Sequence, residues 1–158
     1  MRLLVFSLSL VLVSCSSTPE TSTEKAPSGT TPTDAKAYIE KAAKEPGATV
    51  TATGMVYKEL KPGTGPSPKT TDTVKVHYRG ALIDGTEFDS SYKRGEPSQF
   101  RLDEVIRCWT DGLQMMKTGG KSKLVCPADI AYGPNGRPGI PGGATLVFEV
   151  ELLGIGGA

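Results

Sequence analysis

The sequence predicts an α+β domain in which short strands enclose a single helix, and three observations carry that expectation. Val74, Val76 and Tyr78 alternate with Lys75, His77 and Arg79, and Leu146, Phe148, Val150 and Leu152 alternate around Glu149 and Glu151, the period of strands with one buried face. Trp109, Leu113 and Met116 recur at i, i+4 and i+7, which is one face of a helix. Runs of Gly, Pro, Asn and Asp separate these segments and supply turn chemistry.

The N-terminus is a different kind of segment. Arg2 precedes an apolar run from Leu3 to Val13 broken only by serines, too short to span a bilayer and the right length for a signal core. It ends in Leu12-Val13-Ser14-Cys15, which resembles the lipobox of bacterial lipoproteins. That resemblance implies removal of residues 1–14, a lipid on Cys15 as membrane anchor and, with Ser16 next, sorting to the outer membrane facing the periplasm of a bacterial cell envelope. Residues 15–33 are Ser, Thr, Pro, Glu and Lys with almost no apolar side chain, the composition of a disordered tether. A short helical lead-in follows over residues 34–47, with Asp34 as N-cap, Tyr38 and Ala42 on one face, and Pro46-Gly47 as the stop.

Residues 48–158 form the expected globular domain. A strand over residues 55–60 ends in the turn-rich stretch 61–66, and residues 73–79 form a strand with Tyr78 inward and His77 facing solvent. Asp84-Gly85 makes a hairpin turn into residues 86–89. The helix starts at Asp103 and stops at Gly119-Gly120, and residues 121–126 form a strand with Leu124 and Cys126 on one face. Residues 132–143 are a loop of turn residues that carries Tyr132 and Ile140 as isolated apolar groups, as loops bordering a binding site do.

Composition removes several function classes. Eighteen basic against 17 acidic residues give a net charge of +1, which offers no electrostatic basis for binding nucleic acid. The lone His77 sits among charged residues with no nucleophile in view, and no Ser-His-Asp arrangement or ligand cluster is present. On residue types alone, Trp109 reads as core and Asp89-Ser90-Ser91 as a turn.

Five stretches together carry a family resemblance: Val76-His77-Tyr78-Arg79-Gly80, Gly85-Thr86-Glu87-Phe88-Asp89-Ser90-Ser91, Val105-Ile106 with Trp109, Ala131-Tyr132-Gly133, and Ala144 through Leu152. In this order they resemble the FKBP-type peptidyl-prolyl cis-trans isomerases, over residues 49–155. The resemblance implies a strongly curved antiparallel sheet of five to six strands wrapped around one short helix, with a pocket between them. It implies Trp109 as the pocket floor, Tyr78, Phe88, Val105, Ile106, Tyr132 and Phe148 as walls, Asp89 as the acidic anchor and Arg94 as its basic partner, with Ile140 at the rim. Asp89 and the Tyr132 hydroxyl would orient substrate carbonyls. No metal or cofactor is implied; the partners implied are proline-containing polypeptides and macrolide inhibitors. A module that only binds unfolded envelope proteins would use the same pocket.

Residues 38–60 also resemble the approach to the catalytic domain in secreted members of the macrophage-infectivity-potentiator type. Those relatives carry a long dimerising helix for which this chain has no room, so a monomer is expected. Three positions depart from the family: Ser98 where many members have an aromatic residue, Arg137 where several have histidine, and Cys108 where glycine is usual. Cys108 and Cys126 are open to either of two states, a disulfide in an oxidising compartment or two buried thiols.

Overall fold

The computed structural model describes residues 31–156, so the signal segment, Cys15 and nearly all of the tether lie outside the described residues. Two ten-residue strands, β3 (Thr73–Leu82) and β7 (Leu146–Ile155), pair along their length and form the middle of the sheet. Their inner faces are the two alternating sets: Val74, Val76, Tyr78 and Leu82 meet Leu146, Phe148, Val150 and Leu152, all buried. Around them lie β1 (Ala48–Val50), β2 (Val56–Lys61), β4 (Glu87–Ser90), β5 (Ser98–Arg101) and β6 (Lys121–Cys126). The sheet is antiparallel in the order β1-β2-β6-β7-β3-β4, and β5 pairs with the first half of β3.

Among the described residues the sheet therefore has seven strands rather than five or six. The additional ones are β1 and β5, of three and four residues, too short for alternation to stand out from loop sequence.

Besides α1 (Pro32–Ala43) and the single turn α2 (Ser91–Arg94), one helix, α3 (Arg107–Met115), covers the inner face. It begins four residues later than Asp103, because the Asp103 carboxylate takes the Arg101 guanidinium at 3.0 and 2.7 Å instead of capping a helix. Trp109, Leu113 and Met116 are buried as their spacing predicts, each contributing about 1.5–3 kcal/mol by leaving water. Gly112 lets the helix approach β6 closely, since a Cβ there would meet Leu124 Cδ1 at 2.8 Å. Cys108 and Cys126 are joined by a disulfide with Cα atoms 5.8 Å apart, tying the first turn of α3 to the end of β6.

The lead-in helix also starts earlier than expected. Thr31 caps it, accepting from the Asp34 amide at 3.3 Å, and Pro32 occupies the first turn, where its missing N–H costs nothing. The helix docks on the outer face of the sheet, where Ala42 packs with Val56 and Val125 and Tyr38 flanks them. Glu45 fixes its end, bridging Lys58 of β2 at 2.9 Å and Lys123 of β6 at 3.0 Å. Those two hydrogen bonds hold its carboxyl below the usual carboxylate range.

His77 is half-buried rather than solvent-facing. Its ring stacks on Tyr92 with centroids 4.7 Å apart, and Nδ1 lies 3.0 Å from Ser91 Oγ. Ser91 Oγ also accepts from the Tyr78 amide at 2.8 Å, which pins α2 to the middle of β3.

Candidate active site

Four strands and the start of α3 converge on one cavity of about 480 Å³, a size that suits small ligands and short peptide segments. Its floor is Trp109. The rings of Tyr78, Phe100 and Phe148 stand edge-on to the indole at 5.0, 5.4 and 5.4 Å, with interplanar angles of 85, 89 and 83°. Phe88 extends this wall, edge-on to Phe148 at 5.6 Å. Edge-to-face pairs place the positive rim of one ring against the negative face of the next, and each adds about 0.5–1.5 kcal/mol beyond burial. Among the described residues the indole Nε1 is buried with no hydrogen-bond partner.

Two features of β3 and β4 make this closure possible. Gly80 faces both Phe148 of β7 and Asp89 of β4; a Cβ there would lie 2.6 Å from Phe88 Cζ and 2.8 Å from Phe148 Cε1. Glycine is the one residue that leaves room for both rings. The β3–β4 register also shifts between Gly80 and Ala81, so that Phe88 is an extra residue opposite β3. Consecutive strand residues normally point to opposite faces, and it is this bulge that lets Phe88 and Asp89 line the same cavity.

Asp89 is held from behind. The Tyr78 hydroxyl donates to one carboxylate oxygen and Arg94 Nη1 donates to the other. Arg94 Nη2 donates in turn to Tyr78 Oη at 3.0 Å and to Ser98 Oγ at 3.1 Å. Burial opposes ionisation of Asp89, but the hydrogen bonds from Tyr78 and Arg94 outweigh it and hold the carboxyl below its ordinary value. The Tyr78 phenol is pushed up, first by burial and then by its bond to the carboxylate.

The structure brings Tyr78, Phe88, Asp89, Val105, Ile106, Trp109, Tyr132, Ile140 and Phe148 into the cavity wall. Arg94 stands behind Asp89 and does not line it. The aromatic residue missing at Ser98 is supplied by Phe100, two residues on and on the same face of β5, where it contacts both Tyr78 and Trp109. Alternation through residues 98–101 was the signal for it. An ionised carboxylate only accepts hydrogen bonds, and both Asp89 oxygens are engaged, so it cannot bind a carbonyl oxygen. Its negative field suits a carbonyl carbon or an amide N–H instead.

Part of the rim is the loop after β6. Arg137 and Ile140 exchange backbone hydrogen bonds of 3.0 and 2.8 Å around Pro138 and Gly139. Proline first and glycine second, the latter at φ +82°, are the residues a type II turn requires. Ile140, at the end of that turn, is buried, and Tyr132 is held by a 3.0 Å bond from Arg137 Nη1 to its hydroxyl.

A curved sheet closed over one helix, with an aromatic cavity at the helix start, is the architecture of the family whose motifs the sequence carries. A sequence model of the FKBP-type peptidyl-prolyl cis-trans isomerases matches residues 65–153, and the chain belongs to that family. It is 58% identical over 120 residues to the FKBP-type peptidyl-prolyl cis-trans isomerase FkpA of Escherichia coli K12, covering 76% of this chain and 44% of that protein. The crystal structure of FkpA from Escherichia coli superposes with a TM-score of 0.77 at 56% identity, over 78% of this chain and 58% of that one. A crystal structure of a peptidyl-prolyl cis-trans isomerase from Pseudomonas syringae gives a TM-score of 0.74 at 41% identity, over 79% of this chain and 92% of that one. The chain spans less than half the length of the Escherichia coli relative.

Proposed function

We propose that this chain accelerates cis-trans rotation about X-Pro bonds in polypeptides of the bacterial cell envelope, to which a lipid on Cys15 anchors it. The observation that supports the activity is the aromatic cavity over Trp109 with a fixed carboxylate at its edge. Rotation about the bond is slow because resonance gives it partial double-bond character, with a barrier of about 18–20 kcal/mol. In the twisted transition state that resonance is lost and the carbonyl is less polar than in the planar amide. An apolar site therefore favours the twisted state over both planar ones.

Each group has a role in this reading. Trp109, Phe88, Phe100 and Phe148 seat the proline ring and exclude water. The Tyr132 hydroxyl donates to a substrate carbonyl oxygen, and the field of Asp89 acts on the carbonyl carbon of the rotating bond. Val105, Ile106 and Ile140 close the sides, and Arg94 keeps Asp89 ionised and in place. No proton changes hands and no covalent intermediate forms.

Exchange spectroscopy by NMR on a proline peptide, with and without catalytic amounts of the chain, measures the activity directly. The wild-type chain is expected to raise the exchange rate, and the Phe88→Ala/Asp89→Ala double variant to lose on the order of a hundredfold in kcat/KM, the scale of a misplaced reacting group. Undiminished turnover in that variant overturns the site. Incorporation of labelled fatty acid into the wild-type chain and not into Cys15→Ala checks the anchor.

A further inference from the structure

The charged groups at the mouth of the cavity are unevenly paired. Asp89 is bound by Arg94 and Tyr78, as described. Glu104, the other acidic lining residue, has Arg101 at 3.8 Å, although that guanidinium is held more closely by Asp103. Arg137 is the remaining charged lining residue, and among the described residues no carboxylate lies within ion-pair distance of it. Its side-chain bond goes to a neutral group, the Tyr132 hydroxyl, at 3.0 Å, with the guanidinium carbon 5.0 Å from the centre of the Tyr132 ring.

This arginine is also held in place. Its N–H and C=O are both bonded to Ile140, which is buried, and the turn between them is stiffened by Pro138. A surface arginine usually spends conformational freedom to make an ion pair; here the backbone and the phenol have already fixed most of that freedom. A guanidinium with donors still open, fixed beside the hydroxyl that receives the substrate carbonyl, is a ready partner for a carboxylate.

We propose that Arg137 is a specificity-determining residue that selects polypeptides carrying an aspartate or glutamate beside the isomerised proline. This rests on the isomerase reading above and adds the chemical class of its preferred substrate. The preference acts through binding of the flanking residue, so it appears in KM, with kcat for the rotation itself shared by acidic and neutral peptides. Tyr132 keeps its own hydroxyl proton for the substrate, because Arg137 donates to its oxygen and takes nothing from it.

The test uses acetyl- and amide-blocked peptides that place Glu, Gln or Lys immediately before or immediately after proline, with exchange rates measured by NMR so that no protease specificity intrudes. For the wild-type chain one of the two Glu peptides is expected to show a two- to fivefold lower KM than its Gln counterpart, about the worth of one partly exposed ion pair, and Lys a higher one. The Glu/Gln ratio is expected to fall to one in Arg137→Gln and in about 1 M salt, and to persist in Arg137→Lys, which keeps the charge and loses the fork. Equal KM for Glu and Gln in the wild-type chain, or a ratio unchanged in Arg137→Gln, overturns the inference and leaves the isomerase reading standing. Absence of catalysis on every peptide overturns both.

Discussion

The disulfide between Cys108 and Cys126 offers the most direct measure of how firmly the cavity floor is held. It closes a loop with a sequence separation of 18 residues, and both cysteines are fully buried. In the chain-entropy account a cross-link of that span removes about 11 cal/mol/K from the unfolded ensemble, which is about 3 kcal/mol at 25 °C. Reduction comes nearest to this contribution, because both sulfur atoms are retained as thiols and need only part to van der Waals distance. Cys108→Ala/Cys126→Ala also removes the sulfurs from a packed site, so its loss is the larger of the two. The chain has one tryptophan, Trp109, adjacent in sequence to Cys108, so indole fluorescence reports unfolding at the site itself. Urea titrations of the oxidised chain, the chain reduced in denaturant and refolded, and the double variant are expected to show midpoints falling in that order. With an m-value of about 1–3 kcal/mol/M, the first step is about 1–3 M. Coincident midpoints for oxidised and reduced chains would mean that the bond does not restrict the unfolded ensemble as the chain-entropy account requires.

Two further outcomes follow from the geometry. Gly80→Ala forces a methyl against Phe88 and Phe148; the expected cost is about 1–3 kcal/mol in stability, with kcat/KM falling on the order of tenfold or more, and a folded variant of full activity would show that the rings have slack. The second concerns pH. Because the folded-state pKa of Asp89 lies below its unfolded value, the stabilisation it gives is complete above the ordinary aspartate range and is lost only as pH falls through the depressed value. Activity is therefore expected to be flat between about pH 5 and 8 with an acid limb below about 3.9, and Arg94→Gln to move that limb upward. A wild-type limb centred above pH 5 contradicts the Tyr78–Asp89–Arg94 arrangement.

What the sequence disclosed and what it hid separate along physical lines. Long strands with one buried face announce themselves, so the inward placement of Tyr78 and Phe148 and the helical face of Trp109 were legible in residue spacing. Phe100 was legible in principle but lies on a four-residue strand, where alternation has too few repeats to stand out. Helix starts were displaced at both α1 and α3, because Thr31 and Asp103 compete for hydrogen bonds in ways that residue type alone does not rank.

The bulge at Phe88 is a different case. Strict alternation would send Phe88 and Asp89 to opposite faces of the sheet, and only the shift in pairing between Gly80 and Ala81 gives them a common cavity. A register shift is a property of two strands at once, so it leaves no periodic mark on either. Gly80 is its one local trace, a residue whose missing side chain is explained only when the rings of Phe88 and Phe148 are seen to occupy the space. The same holds for Arg137. As a sequence letter it is one more surface charge; its role emerges when the Pro138-Gly139 turn sets it beside Tyr132 with no carboxylate in reach among the described residues. The inward placement of Tyr78, Phe148 and Trp109 thus follows from patterning within single segments, whereas what shapes and tunes the cavity depends on pairings between segments.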